Sequence, residues 1–452
     1  MKKHKKILML AMSLLLALLV TGCGKNSFKS ISKEGVFSKV PVMADEKIAY
    51  TAVEAIGDEN YQVWADSTTL EDYKAYLGVL EEKGFTKHVD NGEEGLDGYV
   101  YTAHYKKDNL LVVVTHYPKM ERTTITAAEN VSLSENLFFK EEYLADNISG
   151  AKTTMTMKRI YDAGNSFIFQ LKNGHFIVND GGVQGETLYL LDYLEELAPN
   201  GEKPIIDAWI VSHTHTDHMG IFVELAEKPK HADRIRVNAI YYSAASEAAF
   251  EAKGSGDRVS ALDFYVKTMT GLLKTSTEEK VPVYRMRAGE RYYFNDILMD
   301  VVYSPDLLPF EEWKTWNASS TVLMYTIEGQ KVLLTADTDY ESQMVLLDIY
   351  DDEYFNVDVY QTPHHGGNVY NEVSRHITPK TVLIPSPRET RTSQSLLSRT
   401  MQNAYLSEKA EETLSWAAGS VVLTFPYEVG TYERLPKQEW IYHNDDLSQY
   451  LN

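Results

Sequence analysis

The sequence predicts an α/β protein in which a large layered domain of strands and helices follows a small α+β domain. Two patterns carry this expectation. Apolar runs of strand length alternate with stretches of helical spacing over residues 155–426, and a separate strand–helix–strand pattern occupies residues 47–130. The chain is also long enough: 452 residues, 44% hydrophobic and 24% charged, suffice for two or three domains with their own cores.

The chain opens with Lys2, Lys3, Lys5 and Lys6, an apolar run from Ile7 to Val20, and then Thr21-Gly22-Cys23. A basic start followed by a short apolar core reads as an export signal over residues 1–22 rather than a membrane span. The segment Leu19-Val20-Thr21-Gly22-Cys23 resembles the bacterial lipoprotein lipobox, which implies cleavage before Cys23, acylation of its thiol and an extracytoplasmic, membrane-anchored protein. Cys23 is the only cysteine in the chain. Structural disulfides and thiolate metal ligands are therefore excluded. The net charge is −21, and about −25 once those four lysines are lost. Such a field repels polyanions, so nucleic acid is disfavoured as the main partner.

Residues 23–46 read as a tether. In the small domain, Tyr61–Ala65 alternates like a strand, Ser67-Thr68-Thr69 offers a helix cap, and Leu70, Tyr73, Leu77 and Leu80 share one helical face that stops at Gly84. Strands are expected over Tyr99–Tyr105, Leu110–Tyr117 and Thr123–Ala128, with the acidic stretch Asp90–Asp97 as a loop. His88, His104 and His116 read as surface or sheet histidines rather than ligands. No catalytic signal lies here, and a spacer or substrate-docking role is expected. Residues 131–154 read as a linker.

In the large domain, Ser166–Leu171 and His175–Val178 flank Lys172-Asn173-Gly174, a hairpin signal, and Asn179-Asp180-Gly181-Gly182 follows. Ile205–Val211 is a short apolar run after Pro204, and reads as a buried strand feeding a loop. In that loop stand His213, His215, Asp217 and His218, and helical spacing then continues through Ile221–Ala226. Three imidazoles and a carboxylate brought so close suit divalent cations, most often zinc. The offset of Asp217 and His218 from the His213/His215 pair points to two cations rather than one.

The stretch His213-Thr-His215-Thr-Asp217-His218 resembles the metal-binding signature of the metallo-β-lactamase superfamily of hydrolases. The likeness extends over about residues 155–425 and implies a four-layer αββα sandwich. It also assigns roles. Asp180 matches the aspartate that orients the histidine loop without touching metal. The end of the hairpin Thr321–Ala336, Ala336-Asp337-Thr338-Asp339, matches the segment supplying the carboxylate that bridges both cations, with Asp337 as that bridge and Asp339 in support; an aspartate capping the helix that starts near Tyr340 is the alternative. Thr362-Pro363-His364-His365-Gly366-Gly367 resembles the late histidine motif of two subgroups, the competence-type DNA-uptake hydrolase domain and the surface phosphorylcholine esterases. One of His364 and His365 completes the second cation's shell, the choice falling on His365, and the other contacts substrate. The additional histidine that many members supply to the first cation has no counterpart here, since His231 sits in a polar Lys-Pro-Lys-His stretch; Asn317 and Ser319 stand at the matching place. Further strands are read at Val237–Tyr242, Val281–Met286, Arg291–Tyr303, Val357–Gln361, Thr381–Pro385 and Ser420–Phe425, and helices at Val259–Leu273 and Glu372–Ile377, with residues 427–452 as a packing tail.

The resemblance implies two divalent cations (Zn2+ first, Mn2+ or Fe2+ as substitutes) that share and ionise a water, the metal-bound hydroxide attacking a phosphoester or phosphodiester. Asp217, Asp337 and His364 are the expected catalytic side chains. An envelope phosphoester is the expected substrate, with the membrane engaged only through the lipid anchor. The rival readings are an extracellular nuclease linked to DNA uptake and a non-catalytic surface binding lipoprotein.

Overall fold

The computed structural model describes residues 35–41, 43, 49–57, 60–138, 147–158, 165–243, 269–309, 312–385, 403–415 and 419–436. The signal, Cys23 and most of the tether lie outside them, as do residues 259–268 of the expected helix and the end of the C-terminal tail. Among the described residues no helix is long and apolar enough to cross a membrane, and the strands form three sheets.

The small domain is built from β1 (Ala49–Gly57), β2 (Asn60–Asp66), α1 (Leu70–Glu82), β3 (Thr86–Asp90), β4 (Tyr101–Lys107), β5 (Leu110–Tyr117) and β6 (Arg122–Glu129). Thr69 and Asp72 cap the start of α1 reciprocally, and Tyr73, Tyr76 and Leu80 are its buried side. The strands pair antiparallel in the order β1-β2-β6-β5-β4-β3. Two of them, β1 and β3, were not anticipated; β3 ends where the acidic loop begins. His104 and His116, expected at the surface or in a sheet, are sheet residues and fully buried.

The large domain begins with β7 (Thr154–Met157), β8 (Ser166–Gln170), β9 (Phe176–Asp180), α2 (Thr187–Leu197), β10 (Ile205–Val211), α3 (Thr216–Glu227), β11 (Arg236–Val237), β12 (Ile240–Tyr242) and β13 (Val283–Arg285). It continues through β14 (Arg291–Phe294), β15 (Ile297–Tyr303), β16 (Val322–Ile327), β17 (Gln330–Leu334), α4 (Tyr340–Ile349), β18 (Asn356–Gln361), β19 (Thr378–Ile384) and β20 (Glu412–Ser415). Two late strands, β21 (Val421–Thr424) and β22 (Glu433–Arg434), return to the first sheet beside β7. The first sheet runs β13-β12-β10-β9-β8-β7-β21-β22 with β11 beside β10, and the second β14 through β20 in sequence order.

Phe169, Ile177 and Ala208 of the first sheet pack against Met299, Leu323 and Val359 of the second in one core. Helices α2 and α3 cover the outer face of the first sheet through Leu190, Leu194, Phe222 and Leu225. Helix α4 covers the second through Val345, Leu346 and Ile349. The architecture is thus an αββα sandwich, with each sheet's apolar face buried against the other. Residues 131–138, read as polar linker, pack instead: Leu137 lies in the inter-sheet core and bridges to Tyr292.

Strand direction places the site. β9, β10 and β12 run parallel, and β17 runs parallel to β18. The loops leaving β9, β10, β17 and β18 therefore emerge along one end of the sandwich.

Candidate metal centre

Four of those loops supply the site, and their backbones are held in unusual conformations. Asp180, Ala336, His364 and His365 all lie in the left-handed region, at φ 62°, 47°, 50° and 55°. Such conformations cost about 1–3 kcal/mol each outside glycine and persist where surrounding contacts enforce them. Here those contacts include bonds from Ser212 to Asp180, His364 N to the carbonyl of Ala336 at 3.0 Å, and Asp337 N to Ser320 Oγ at 3.2 Å.

The loop after β10 turns directly into α3, so that His213 and His215 precede the helix while Asp217 and His218 lie in its first turn. The Asp217 carboxylate there also suits the positive end of the helix dipole. Gly181 N donates to His218 O at 2.8 Å, and Gly182 bridges to Met219, so the backbone leaving β9 runs against α3.

Six side chains converge into two groups that share Asp337. One consists of His213, His215 and Asp337; the other of Asp217, His218, His365 and Asp337, and within each group the donor atoms lie within 4.8 Å of one another. His213 Nε2 is 3.0 Å from His215 Nδ1 and 3.9 Å from Asp337 Oδ2. His218 Nε2 is 3.1 Å from Asp337 Oδ1. His365 Nε2 is 3.0 Å from Asp217 Oδ2 and 3.6 Å from Asp337 Oδ2. His365 is thus the member of the late pair that joins the donor atoms. His364 stands at the rim, with its side chain 38% exposed and Nε2 3.8 Å from Asp337 Oδ2.

The donors fit divalent cations. All are nitrogen or oxygen, the residue types that zinc and its neighbours take. His218 Nε2 and Asp337 Oδ1 are buried 3.1 Å apart as an ion pair, and among the described residues neither atom has a partner in hydrogen-bond geometry, an arrangement that a cation held between them would satisfy. Electrostatics agree. Burial, aided by His218 and His215, drives His213 well below the ordinary imidazole range. Burial lowers His215 as well, against the pull of Asp217 and Asp337. Burial opposes a charge on His218, yet Asp337, Asp180 and Asp217 hold it well above its usual value. The Asp337 carboxyl would be raised by burial, but His218, His365 and His364 hold it well below the carboxylate range; Asp217 is lowered the same way by His218 and His365. Carboxylates this close require positive charge among them, which a proton on His218 or a bound cation supplies.

A surrounding shell fixes the donors. Asp180 accepts from Ser212 N, Ser212 Oγ and His218 Nδ1, all at 2.8 Å, and so sets the imidazole's orientation. His365 Nδ1 donates to Pro385 O at 2.9 Å. Asp339 caps α4 by accepting from Ser342 N and also takes Thr315 Oγ1 at 3.1 Å. Its support of Asp337 is therefore indirect, through the 315–320 turn that carries Ser320. Asn317 lies in that turn, with a buried Oδ1 that has no hydrogen-bond partner. His231 sits in the turn after α3, at the opposite end of the helix from the site.

Three contributors escaped the sequence reading: Ser212, Ser320 and Asn368. The amide Nδ2 of Asn368 donates to the carbonyls of Asp337 and Thr338, at 3.3 and 3.2 Å. Its Oδ1 consequently faces His364 Nδ1, 3.1 Å away, and can only accept. In neutral His364 the proton is therefore on Nδ1, and the basic Nε2 is the nitrogen directed toward Asp337. Serine and asparagine carry no motif signal at these spacings, so nothing in the sequence singled them out.

Residues 160–369 match the family model described as the metallo-beta-lactamase superfamily. Structures similar to this chain include a metal-dependent hydrolase of the beta-lactamase superfamily, 11% identical over 60% of this chain and 98% of that one, with a TM-score of 0.36. Another is a metallo-beta-lactamase from Hirschia baltica, 12% identical over 42% of this chain and 68% of that one, with a TM-score of 0.23. No curated protein matches the sequence.

Proposed function

On the match of residues 160–369 to the metallo-β-lactamase superfamily model, we propose that this protein is a lipid-anchored, binuclear metal-dependent hydrolase that cleaves a phosphoester or phosphodiester of an envelope component. The observation that carries the reading is Asp337, one buried carboxylate shared by two groups of metal-donor side chains. Divalent cations bound there, Zn2+ in the first place, supply Lewis acidity and lower the pKa of water toward neutrality.

The chain's own residues do the rest. His213, His215, Asp217, His218, His365 and Asp337 hold the cations, and Asp180 orients His218. Asp217, whose side chain is 31% exposed, reaches from that shell to the open side of the site. His364, at the rim with its tautomer set by Asn368, is placed to exchange a proton with the reacting group through Nε2. The phosphoester class is supported by the likeness of Thr362–Gly367 to the late histidine motif of phosphodiester-cleaving subgroups. The net charge of −21 favours a small or envelope-borne substrate over nucleic acid. Acylation of Cys23 accounts for the anchor.

Turnover of bis(p-nitrophenyl) phosphate and glycerophosphodiesters by the metal-loaded protein, against plasmid DNA and against an Asp337→Ala variant, tests the activity. Hydrolysis of the small diesters, lost in Asp337→Ala and on chelation, is the expected result. A fully metallated wild type without turnover overturns the hydrolase reading, and preferential cleavage of DNA overturns the substrate assignment. In the producing cell, Cys23→Ala is expected to move the protein from the membrane to the soluble fraction; a membrane-bound variant removes the lipid anchor from the proposal.

A further inference from the structure

The two donor groups are unequal. One offers four donors, Asp217, His218, His365 and Asp337; the other offers three, His213, His215 and the same Asp337. Carboxylates are unequal too, since the four-donor group holds Asp217 to itself in addition to the shared Asp337.

The supporting contacts follow the same division. In the four-donor group both imidazoles are anchored through Nδ1, His218 on the Asp180 carboxylate at 2.8 Å and His365 on the Pro385 carbonyl at 2.9 Å. In the three-donor group, His213 Nδ1 donates to the Ser212 hydroxyl at 3.1 Å, a neutral acceptor that is a weaker anchor than a carboxylate and itself donates to Asp180. His215 turns Nδ1 toward His213, and among the described residues no acceptor is placed on its Nε2. Anchored ligands lose less freedom when a cation arrives and are held at higher basicity. Four protein donors also close a tetrahedral shell, whereas three leave a position open for water or substrate.

We infer that the two cations bind in sequence: the Asp217/His218/His365/Asp337 position fills first and tightly, and the His213/His215/Asp337 position fills second, weakly, and is the one open to exchange and to substrate. The arrangement follows from there being, among the described residues, no further histidine beside the three-donor group, and it rests on the proposed binuclear reading. Charge reinforces the order, because the first cation neutralises Asp337 and repels the second across a shared carboxylate.

Stepwise Zn2+ titration of the metal-free full-length protein against a chromophoric chelator, with elemental analysis after dialysis, reads this directly. Two steps of one equivalent each are expected, the second ~10-fold or more weaker, given that supporting contacts of this kind carry 10–100-fold in metal affinity. His215→Ala is expected to remove the weak step and keep the tight one, which also shows that the variant folds. His365→Ala is expected to remove the tight step. Two equivalents of equal affinity, loss of the tight step in His215→Ala, or no binding at all would overturn the inference. Equal affinities with diester hydrolysis intact would sink the ordering alone and leave the hydrolase standing.

Discussion

Asp180 shows how much one side chain outside the donor shell can govern. It lies at the end of β9 in a left-handed conformation, φ 62°, and its carboxylate accepts from Ser212 N, Ser212 Oγ and His218 Nδ1. Those three bonds tie the start of the histidine loop to β9 and fix the ring that meets Asp337. Asp180→Asn keeps the size of the side chain but removes its charge and one acceptor. Cation affinity is expected to fall about 10–100-fold with the fold retained, measured by chelator competition alongside circular dichroism; unchanged affinity would reduce Asp180 to a turn residue. At this scale the sequence was informative where chemistry is concentrated. His213, His215, Asp217 and His218 stood out by their spacing, and Asp337 and the His364/His365 pair by the resemblance to a family of hydrolases. Ser212, Ser320 and Asn368 were not, because a hydroxyl or amide gains its role from whatever the fold sets opposite it. Of His364 and His365, it is the side-chain placement that puts His365 among the donor atoms and His364 at the rim, a difference that two adjacent histidines do not reveal.

Among the elements, α3 bears most directly on the site, since its first turn carries Asp217 and His218 while its flank receives the strand end at 181–184. A Cβ on Gly220 would stand 2.4 Å from Gln184 N and 2.6 Å from the backbone of Val183. Backbone cannot give way as a flexible side chain does, so Gly220→Ala must push α3 off β9. The expected costs are about 1–3 kcal/mol of stability and a weakened cation site, read by urea unfolding and metal titration; an unperturbed variant would show that the helix has room to move. Boundaries of some elements followed their signals and others did not: the single strand read over Arg291–Tyr303 folds back between Phe294 and Ile297 into the antiparallel pair β14 and β15, and Val237–Tyr242 divides between β11 and β12. β5 and β10 span the runs read from sequence, and α1 starts at the cap offered by Thr69. Helix α2 was missed although Leu190, Leu191 and Leu194 recur at helical spacing. The short edge strands β20 and β22 were missed because two to four residues carry too little alternation to register.

Across the whole molecule, the small domain is joined to the large one through buried contacts. Leu96, Val100 and Tyr117 pack with Trp313, Tyr350 and Tyr354 in one apolar cluster. His104 of β4 lies 3.2 Å from Glu290, both fully buried, and Tyr292 donates to the same carboxylate at 2.6 Å. Lys119 donates to the carbonyls of Leu347 and Tyr350 at the C-terminal end of α4, the helix whose other end is capped by Asp339. The small domain, for which a spacer or substrate-docking role was expected, is thus packed against the large one. Its own histidine has a consequence for pH. Burial pushes the His116 imidazole down to about 4, so it folds neutral, whereas the unfolded chain takes up its proton near the ordinary value of 6.5. Protonation therefore favours unfolding, and this contribution is complete above pH 6.5 and lost as pH falls from 6.5 toward about 4. Relative to wild type, His116→Gln is expected to show a shallower decline in urea midpoint across that window; parallel declines would mean that the ring titrates freely in the fold.

What the sequence alone offered is a candidate donor set: a run of imidazoles and carboxylates after a buried strand, legible from spacing, and an aspartate after a hairpin with a late histidine pair, supplied by the resemblance to a family. The alternation of strand and helix signals was local as well, and it carried the fold class. Only the tertiary structure gives the distances among those donors and shows which hydroxyls and amides hold them. Those relations join residues up to 152 positions apart, between His213 and His365, and distance in space across such separations is set by sheet register and packing, which no local pattern encodes.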